Sequence, residues 1–418
     1  MVAMFRKESI FFIIFTSIIF ILYGISFTDG RYNGNNKVLE VALDNLVGLS
    51  LDEVREYANR VDVTLEVEYQ YSDSVLKDIV ISQDVEEGTL ISGGEVVKIV
   101  VSNGVDLKVM YQEYKVNELG RVPIMMYHGI VDISSNDTKY TGGNVDKDGY
   151  NRTAAAFRND LEFYYKNGYR MIRLTDYVDG VVDVEMGKSP IILTFDDGNK
   201  NNFRVIGEEN GELLIDPNCA IGILEEFKKK YPDYGVTATF FVNVGLFEQP
   251  EYNDKILNWL VDNGYDVGNH TLGHVDFTKV DYNRSVKEIG GLYNILDRII
   301  PDKYVSIVAL PFGSPYKLSH NNYNAILSGV YDNNEYITKA ALRVGWEAEV
   351  SVFDKSFDAS FLKRIRAYDN NGKDFDIKMN FDMLSKSRYI SDGDVNRVVI
   401  PVEYLDRVSS LGKEVVTY

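Results

Sequence analysis

From Arg121 to the C-terminus, short apolar runs alternate with amphipathic stretches, and that alternation limits the fold more than any other feature of this chain. The apolar runs cover residues 122–126, 191–195, 238–242, 266–268, 306–310 and 341–344. The amphipathic stretches cover residues 154–167, 220–230, 254–263 and 285–298. Short runs of this kind predict buried strands, and the longer stretches predict helices. Interleaved, they predict an α/β domain with a parallel sheet or a barrel. Functional side chains in such folds gather at the carboxyl ends of the strands.

Two polar motifs sit at such ends. Asp196 and Asp197 directly follow the run 191–195, in Thr194-Phe195-Asp196-Asp197-Gly198. His270 and His274 follow 266–268, in Asn269-His270-Thr271-Leu272-Gly273-His274. The chain has only four histidines, so finding two of them four residues apart carries weight. On a helical turn, positions i and i+4 share a side at about the separation one metal needs. Two neutral imidazoles and one carboxylate, with positions open to water, form a ligand set for a hydrolytic divalent metal. A second carboxylate beside the first can act as base. Each motif alone has a plainer reading, a structural histidine or a solvated turn. Together at strand ends of one domain they point to a metal-dependent hydrolase. The chain has no His-Glu-x-x-His, no Gly-x-Ser-x-Gly and no phosphate-binding Gly-x4-Gly-Lys-Ser/Thr sequence.

The 418 residues suggest two or three domains. Arg6 and Lys7 precede an uncharged run at residues 10–27, long enough to span a bilayer. The basic flank predicts a short cytoplasmic N-terminus at 1–9, a membrane anchor at 10–27 and the remainder outside the cytoplasm. A cleaved signal peptide, with secretion of the rest, is the rival reading. A buried core helix is the third. With 44 basic against 63 acidic residues the net charge is −19, which disfavours nucleic acid as a partner. Cys219 is the only cysteine, which excludes an intrachain disulfide framework and reads as a small loop or core residue.

Residues 28–37 have linker composition, and 38–104 form a separate pattern. Residues 51–58 read as an amphipathic helix, with Ser50 as N-cap and Glu53 three residues on. Residues 63–71 and 96–102 alternate as strands do. This small α+β module contains no histidine and no catalytic constellation. Its stretches Asn45-Leu46-Val47-Gly48-Leu49-Ser50, Ile81-Ser82-Gln83-Asp84 through Gly88-Thr89, and Val100-Val101-Ser102-Asn103-Gly104 resemble a PASTA domain. The resemblance implies contact with peptidoglycan, or a spacer role for a single copy. Residues 105–120 read as a connector.

Residues 121 to about 365, within a domain taken as 121–418, resemble the polysaccharide deacetylase family, also called NodB-homology or family four carbohydrate esterases. Thr194-Phe195-Asp196-Asp197-Gly198 resembles its first motif and His270-Thr271-Leu272-Gly273-His274 its second. Thr239-Phe240-Phe241-Val242 resembles the strand between them, and Leu310-Pro311-Phe312-Gly313 the third motif. The resemblance implies a distorted (β/α) barrel. It implies that Asp197, His270 and His274 hold a divalent metal, zinc first, with cobalt, nickel or manganese also suited to such ligands. It implies Asp196 as general base, the Phe312 N–H as an oxyanion donor, and an N-acetylated polysaccharide as substrate. His128, in Tyr127-His128, takes the general-acid position of the branch resembling poly-N-acetylglucosamine deacetylases, against a plainer reading as a strand-end hydrogen-bonding residue. His320 reads as a solvated loop residue. Where the family's third motif has an arginine that orients the base, this chain has Ala309; Arg343 and Arg364 are the candidates to replace it. The family's Asp-x-x-Asp-Trp and late Leu-x-His motifs are absent. Trp346 reads either as a sugar-stacking or as a core residue. The polar insertion 199–218 is expected to rim the site or to decorate the surface. A catalytically degenerate glycan-binding protein is the alternative to an enzyme.

Overall fold

The structure is a computed structural model that describes residues 40–133 and 139–418. The expected anchor at 10–27 and linker at 28–37 lie outside the described residues. Among the described residues, no helix is long and apolar enough to cross a membrane. The described residues divide into two compact units, the first ending at Asp106 and the second beginning at Leu107.

In the first unit, the helix Leu51–Val61 starts at a complete capping box. The Ser50 hydroxyl accepts from the Glu53 N–H, and the Glu53 carboxylate accepts from the Ser50 N–H, so two otherwise orphaned donors are satisfied. Its apolar face, Leu51, Val54 and Tyr57, packs on Val97, Ile99 and Val101. Those residues belong to the strand Val96–Ser102, which pairs in parallel with Thr64–Gln70 and antiparallel with Val80–Gln83. The helix and both strands read from the alternation are present.

The second unit is built on eight strands: β1 (Ile124–Tyr127), β2 (Tyr169–Met171), β3 (Ser189–Phe195), β4 (Thr239–Val242), β5 (Asp266–Asn269), β6 (Ile307–Ala309), β7 (Ala340–Leu342) and β8 (Ile365–Arg366). Their order across the sheet is β7-β6-β5-β4-β3-β1-β8, with β2 paired to the start of β3. All these pairings are parallel. The result is a curled, parallel half-barrel sheet, in keeping with the distorted (β/α) barrel expected. β7 and the segment leading into β8 meet at a bridge between Leu342 and Leu362, where the Leu362 N–H donates to the Ala341 carbonyl and the Arg343 N–H to the Leu362 carbonyl.

Side chains alternate across the pleat, and the alternation sets the site. Ile191, Leu193 and Phe195 of β3 join the core with Phe240 and Val242 of β4. The intervening Ile192 and Phe241 join Ile124, Ile307, Ala309 and Leu342 in the interior of the curl. Helices Ala154–Lys166, Ala220–Lys230, Asn253–Asp262 and Tyr282–Ile299 occupy the stretches expected to be helical. The last begins three residues early because the Asp281 carboxylate caps it at the Arg284 N–H; its first turn carries no apolar repeat to read. Buried Cys219 caps the helix Ala220–Lys230. Strands β2 and β8, with three and two residues, escaped the sequence reading.

Candidate active site

Asp196 continues the inward parity of Ile192 and Thr194, so the end of β3 delivers a carboxylate into the interior. It is 1% exposed. Arg364, fully buried just before β8, donates from Nη1 to Asp196 Oδ1 and from Nη2 to Oδ2, both at 2.7 Å. The same Nη1 donates to Thr194 Oγ1 at 3.1 Å, and Nε donates to the Arg343 carbonyl at 3.0 Å. A planar fork matched to both carboxylate oxygens is the strongest neutral-pH ion pair available to a side chain. Burial pushes the Asp196 carboxyl up, but the charge and hydrogen bonds of Arg364, together with the neighbouring His270 and His128, outweigh it and hold the group well below the usual carboxylate range. Asp196 is therefore an anion. Of the two arginines expected as replacements for the motif arginine, Arg364 reaches the carboxylate. Arg343 instead stacks on Phe361, 4.8 Å from its ring.

Asp197, one residue on, turns out of the strand with φ 76°. Its Oδ1 lies 3.3 Å from His270 Nε2 and 3.4 Å from His274 Nε2. One ligand atom from each of the three residues lies within 4.8 Å of the others. His270 is buried; its Nδ1 contacts the Ala309 carbonyl at 2.8 Å. The carbonyl can only accept, so Nδ1 carries the proton and the lone pair of Nε2 is turned toward Asp197. That Nε2 is buried without a hydrogen-bond partner among the described residues. An orphaned imidazole nitrogen, a second imidazole nitrogen and a carboxylate oxygen about 3.3 Å apart fit neighbouring corners of one metal's coordination shell.

The two histidines do not share a helical turn, as the i, i+4 spacing had suggested. They lie in an irregular loop after β5, with Thr271 at φ 68° and His274 at φ 50°. The physical reason is a set of tertiary ties stronger than local spacing. Asn269 Oδ1 accepts from the Thr271 N–H, and its Nδ2 donates to the Ile289 carbonyl. The buried Glu288 accepts from the Gly273 N–H at 2.7 Å, and its own carbonyl accepts from the Leu272 N–H. Left-handed conformations at Asp197, Thr271, His274 and Phe312 concentrate backbone strain around one cavity.

That cavity has a volume of about 330 Å³ and exposes His128, Asp196, Asp197, His270, His274 and Phe312 together. All six residues singled out in the sequence for chemistry thus meet in one place. Phe312 has φ 58°, and the backbone bonds that close its turn come from Gly313 and Ser314, leaving its own N–H out of them. Its ring lies 4.7 Å from that of His274. His128 is deeply placed behind the mouth, its ring edge-on to Tyr150 at 4.8 Å. Burial holds its imidazole below the usual value, opposed by the charges of Asp196 and Asp197. Its Nδ1 is buried without a partner among the described residues.

Tyr150, Asn151, Asn199, Leu310 and Val344 complete the walls; of these, Tyr150 and Asn151 carried no signal in the sequence. The insertion 199–218 places Asn199 on the rim, while its hairpin, Val205–Glu209 with Glu212–Ile215, does not line the cavity. Its first residues matter more: Asn202 Nδ2 donates to the His128 carbonyl at 2.7 Å, and Asn201 Oδ1 accepts from the Ile130 N–H. His320 lies away from the cavity, its Nδ1 accepting from the Asn322 N–H. Trp346 is 54% exposed, which rules out the core reading.

Comparison with known proteins returns two family models. Residues 183–326 match polysaccharide deacetylase and residues 41–103 match the PASTA domain. His128 and Arg364 lie outside the matched segments. Among solved structures, the chain is similar to the Streptococcus pyogenes deacetylase PplD in complex with acetate, with 19% identity over 60% of this chain and 93% of that chain and a TM-score of 0.44. It is similar to a de-N-acetylase from Aggregatibacter actinomycetemcomitans, with 14% identity over 59% of this chain and 94% of that chain and a TM-score of 0.37. It is also similar to the peptidoglycan deacetylase PdaC from Bacillus subtilis, with 26% identity over 32% of this chain and 52% of that chain and a TM-score of 0.23. By its motifs and its family-model matches, the chain carries a polysaccharide deacetylase segment at residues 183–326 behind a PASTA segment at residues 41–103.

Proposed function

We propose that this protein is a metal-dependent deacetylase that hydrolyses the N-acetyl groups of a cell-wall or surface polysaccharide and releases acetate. The observation that carries the reading is the convergence of His270 Nε2, His274 Nε2 and Asp197 Oδ1 beside an ionised, buried Asp196. Those three atoms would hold the metal, zinc first, with cobalt, nickel or manganese compatible with the same ligands. When bound, a divalent metal supplies a nucleophile from water at neutral pH and polarises the amide carbonyl.

The side chains do the rest. Asp196 accepts the proton of the attacking water. Its bond to Arg364 keeps it ionised and fixes both oxygens. The Phe312 N–H donates to the oxyanion that develops on the amide oxygen. His128 gives a proton to the leaving nitrogen, and the two nearby aspartates help to hold that proton until it is needed. An Arg364 already seated on Asp196 supports an intact base, and so weighs against the degenerate glycan-binding reading that Ala309 suggested. The N-terminal run at 10–27 supports tethering at a membrane with the catalytic domain outside the cytoplasm, and the PASTA domain supports contact with peptidoglycan.

The test combines metal content with acetate release from N-acetylglucosamine oligomers, peptidoglycan fragments and chitin fragments. Asp196→Asn is expected to keep metal and to lose turnover by about 10²–10⁴-fold, the range for a general base. His274→Ala is expected to lose both. His128→Ala is expected to keep metal and turn over more slowly. Equal metal loss in Asp196→Asn and His274→Ala contradicts this division of roles. A metal-loaded protein that releases no acetate from any of these sugars is a binder.

A further inference from the structure

A second cavity of about 400 Å³ adjoins the catalytic one and shares Tyr150 and Val344 with it. Trp346, Arg366, Tyr368 and Phe375 form much of its wall. Trp346 and Phe375 are exposed, while Tyr368 is buried. The Arg366 guanidinium lies 3.9 Å from the centre of the Tyr368 ring and 5.3 Å from that of Tyr150.

Arg366 differs from the buried arginines of this domain. Arg152, Arg170 and Arg364 each meet a carboxylate. Among the described residues Arg366 forms no ion pair, although the chain has 63 acidic residues. Asp374, on the same wall, is engaged by Asn370 Nδ2 at 2.6 Å. Two aromatic faces fix the plane of the Arg366 guanidinium and leave its fork of donors for something else. Aromatic walls alone are enough for a neutral sugar. A half-buried, pre-oriented guanidinium without a counter-ion calls for an anion, and its attraction is strengthened away from bulk water. In a protein of net charge −19, an acidic polymer needs such a local cation to approach the site at all. Tyr150 ties the two cavities together, since its ring contacts both His128 and Arg366.

We propose that the second cavity takes a sugar unit next to the one being deacetylated, that this unit bears an anionic group, carboxylate or phosphate, and that Arg366 reads that group. The proposal rests on the deacetylase reading above for the identity of the neighbouring sugar. It makes Arg366 a specificity-determining residue, and it makes the preferred polymer acidic rather than neutral.

The test uses the full chain and four N-acetylglucosamine oligomers of equal length: neutral, carboxylated on alternate sugars, the methyl ester of that carboxylated form, and phosphorylated. Binding is measured by calorimetry and acetate release in parallel. The wild type is expected to bind one or both anionic oligomers about tenfold tighter than the ester, and which anion gains identifies the group. Arg366→Gln is expected to erase that difference, with the loss falling on KM rather than kcat, and Arg366→Lys to restore part of it. A wild type that binds the anionic oligomers no better than the ester overturns the proposal, with or without a folded variant. So does an undiminished anion preference in Arg366→Gln. Binding needs no turnover, so absence of acetate from every oligomer falls on the deacetylase reading and leaves the result on anion recognition to stand by itself.

Discussion

Arg364 and Asp196 face each other where neither meets water, with relative side-chain exposures of 0% and 2%. Removing one member of such a pair strands the other as a buried charge, at a cost of about 3–5 kcal/mol. Arg364→Met is therefore expected to lower the free energy of unfolding by about that amount in urea titrations. A loss below about 1 kcal/mol would mean that the pair is not held out of solvent. The pH dependence has a definite sign. Asp196 has a native value below its unfolded one, so its contribution is fully present above the unfolded value, about 3.9, and is lost as pH falls through the native value. Without Arg364, only the weaker pull of His270 and His128 opposes burial, and the acid-side loss begins at higher pH. Position 309 shows what the sequence could and could not convey at this scale. Ala309 marks a missing arginine, and Arg343 and Arg364 were both visible as candidates. Choosing between them required knowing that Arg364 enters the interior beside β3 while Arg343 leaves it for Phe361.

At the scale of elements, the alternation of apolar runs placed six of the eight strands and the ends that carry Asp196 and His270. What it missed was short or tertiary. β2 and β8 are too brief to show a period, and β8 is the strand that follows Arg364. The His270–His274 loop was misread as a helical turn because its shape comes from Asn269 and Glu288, the second of which lies on the helix Tyr282–Ile299. A similar long-range tie links this loop to the Phe312 turn. Ser314, fully buried, donates from Oγ to Asp276 Oδ1 at 2.5 Å and accepts from the Thr278 N–H at 3.2 Å. Asp276 lies two residues beyond His274, so one hydroxyl ties the turn of Phe312, the proposed oxyanion donor, to the loop of the proposed metal ligands. Ser314→Ala is expected to lower kcat by about 10- to 100-fold with metal content unchanged, since a small misplacement of a catalytic donor is enough for that loss. Metal lost together with turnover would assign the tie to His274 instead of Phe312.

Over the whole second unit, the segment leading into β1 is fastened to the strand Arg397–Ile400, near the C-terminus, through one buried carboxyl, Glu118. Its Oε2 accepts from the Val399 N–H at 2.8 Å and its Oε1 from the Asp392 N–H at 3.3 Å. Ser351 Oγ donates to the Glu118 carbonyl, and the Glu118 N–H donates to the Val399 carbonyl. Burial, seconded by the negative charge of Asp392, pushes the Glu118 carboxyl up to about 8, against the opposing pull of the Val399 N–H. An acid with a raised native value is protonated in the folded state at a pH where the unfolded chain has already released its proton. Stability from Glu118 is thus complete below the unfolded glutamate value, about 4.3, and declines as pH rises toward about 8. The slope from this one group is at most about 1.4 kcal/mol per pH unit. Glu118→Gln keeps the shape and removes the titration. Thermal unfolding of the two proteins between pH 5 and pH 8 is therefore expected to diverge, with the wild type losing Tm as pH rises and the variant holding closer to level. Parallel curves would mean that Glu118 is ionised in the folded protein throughout this range.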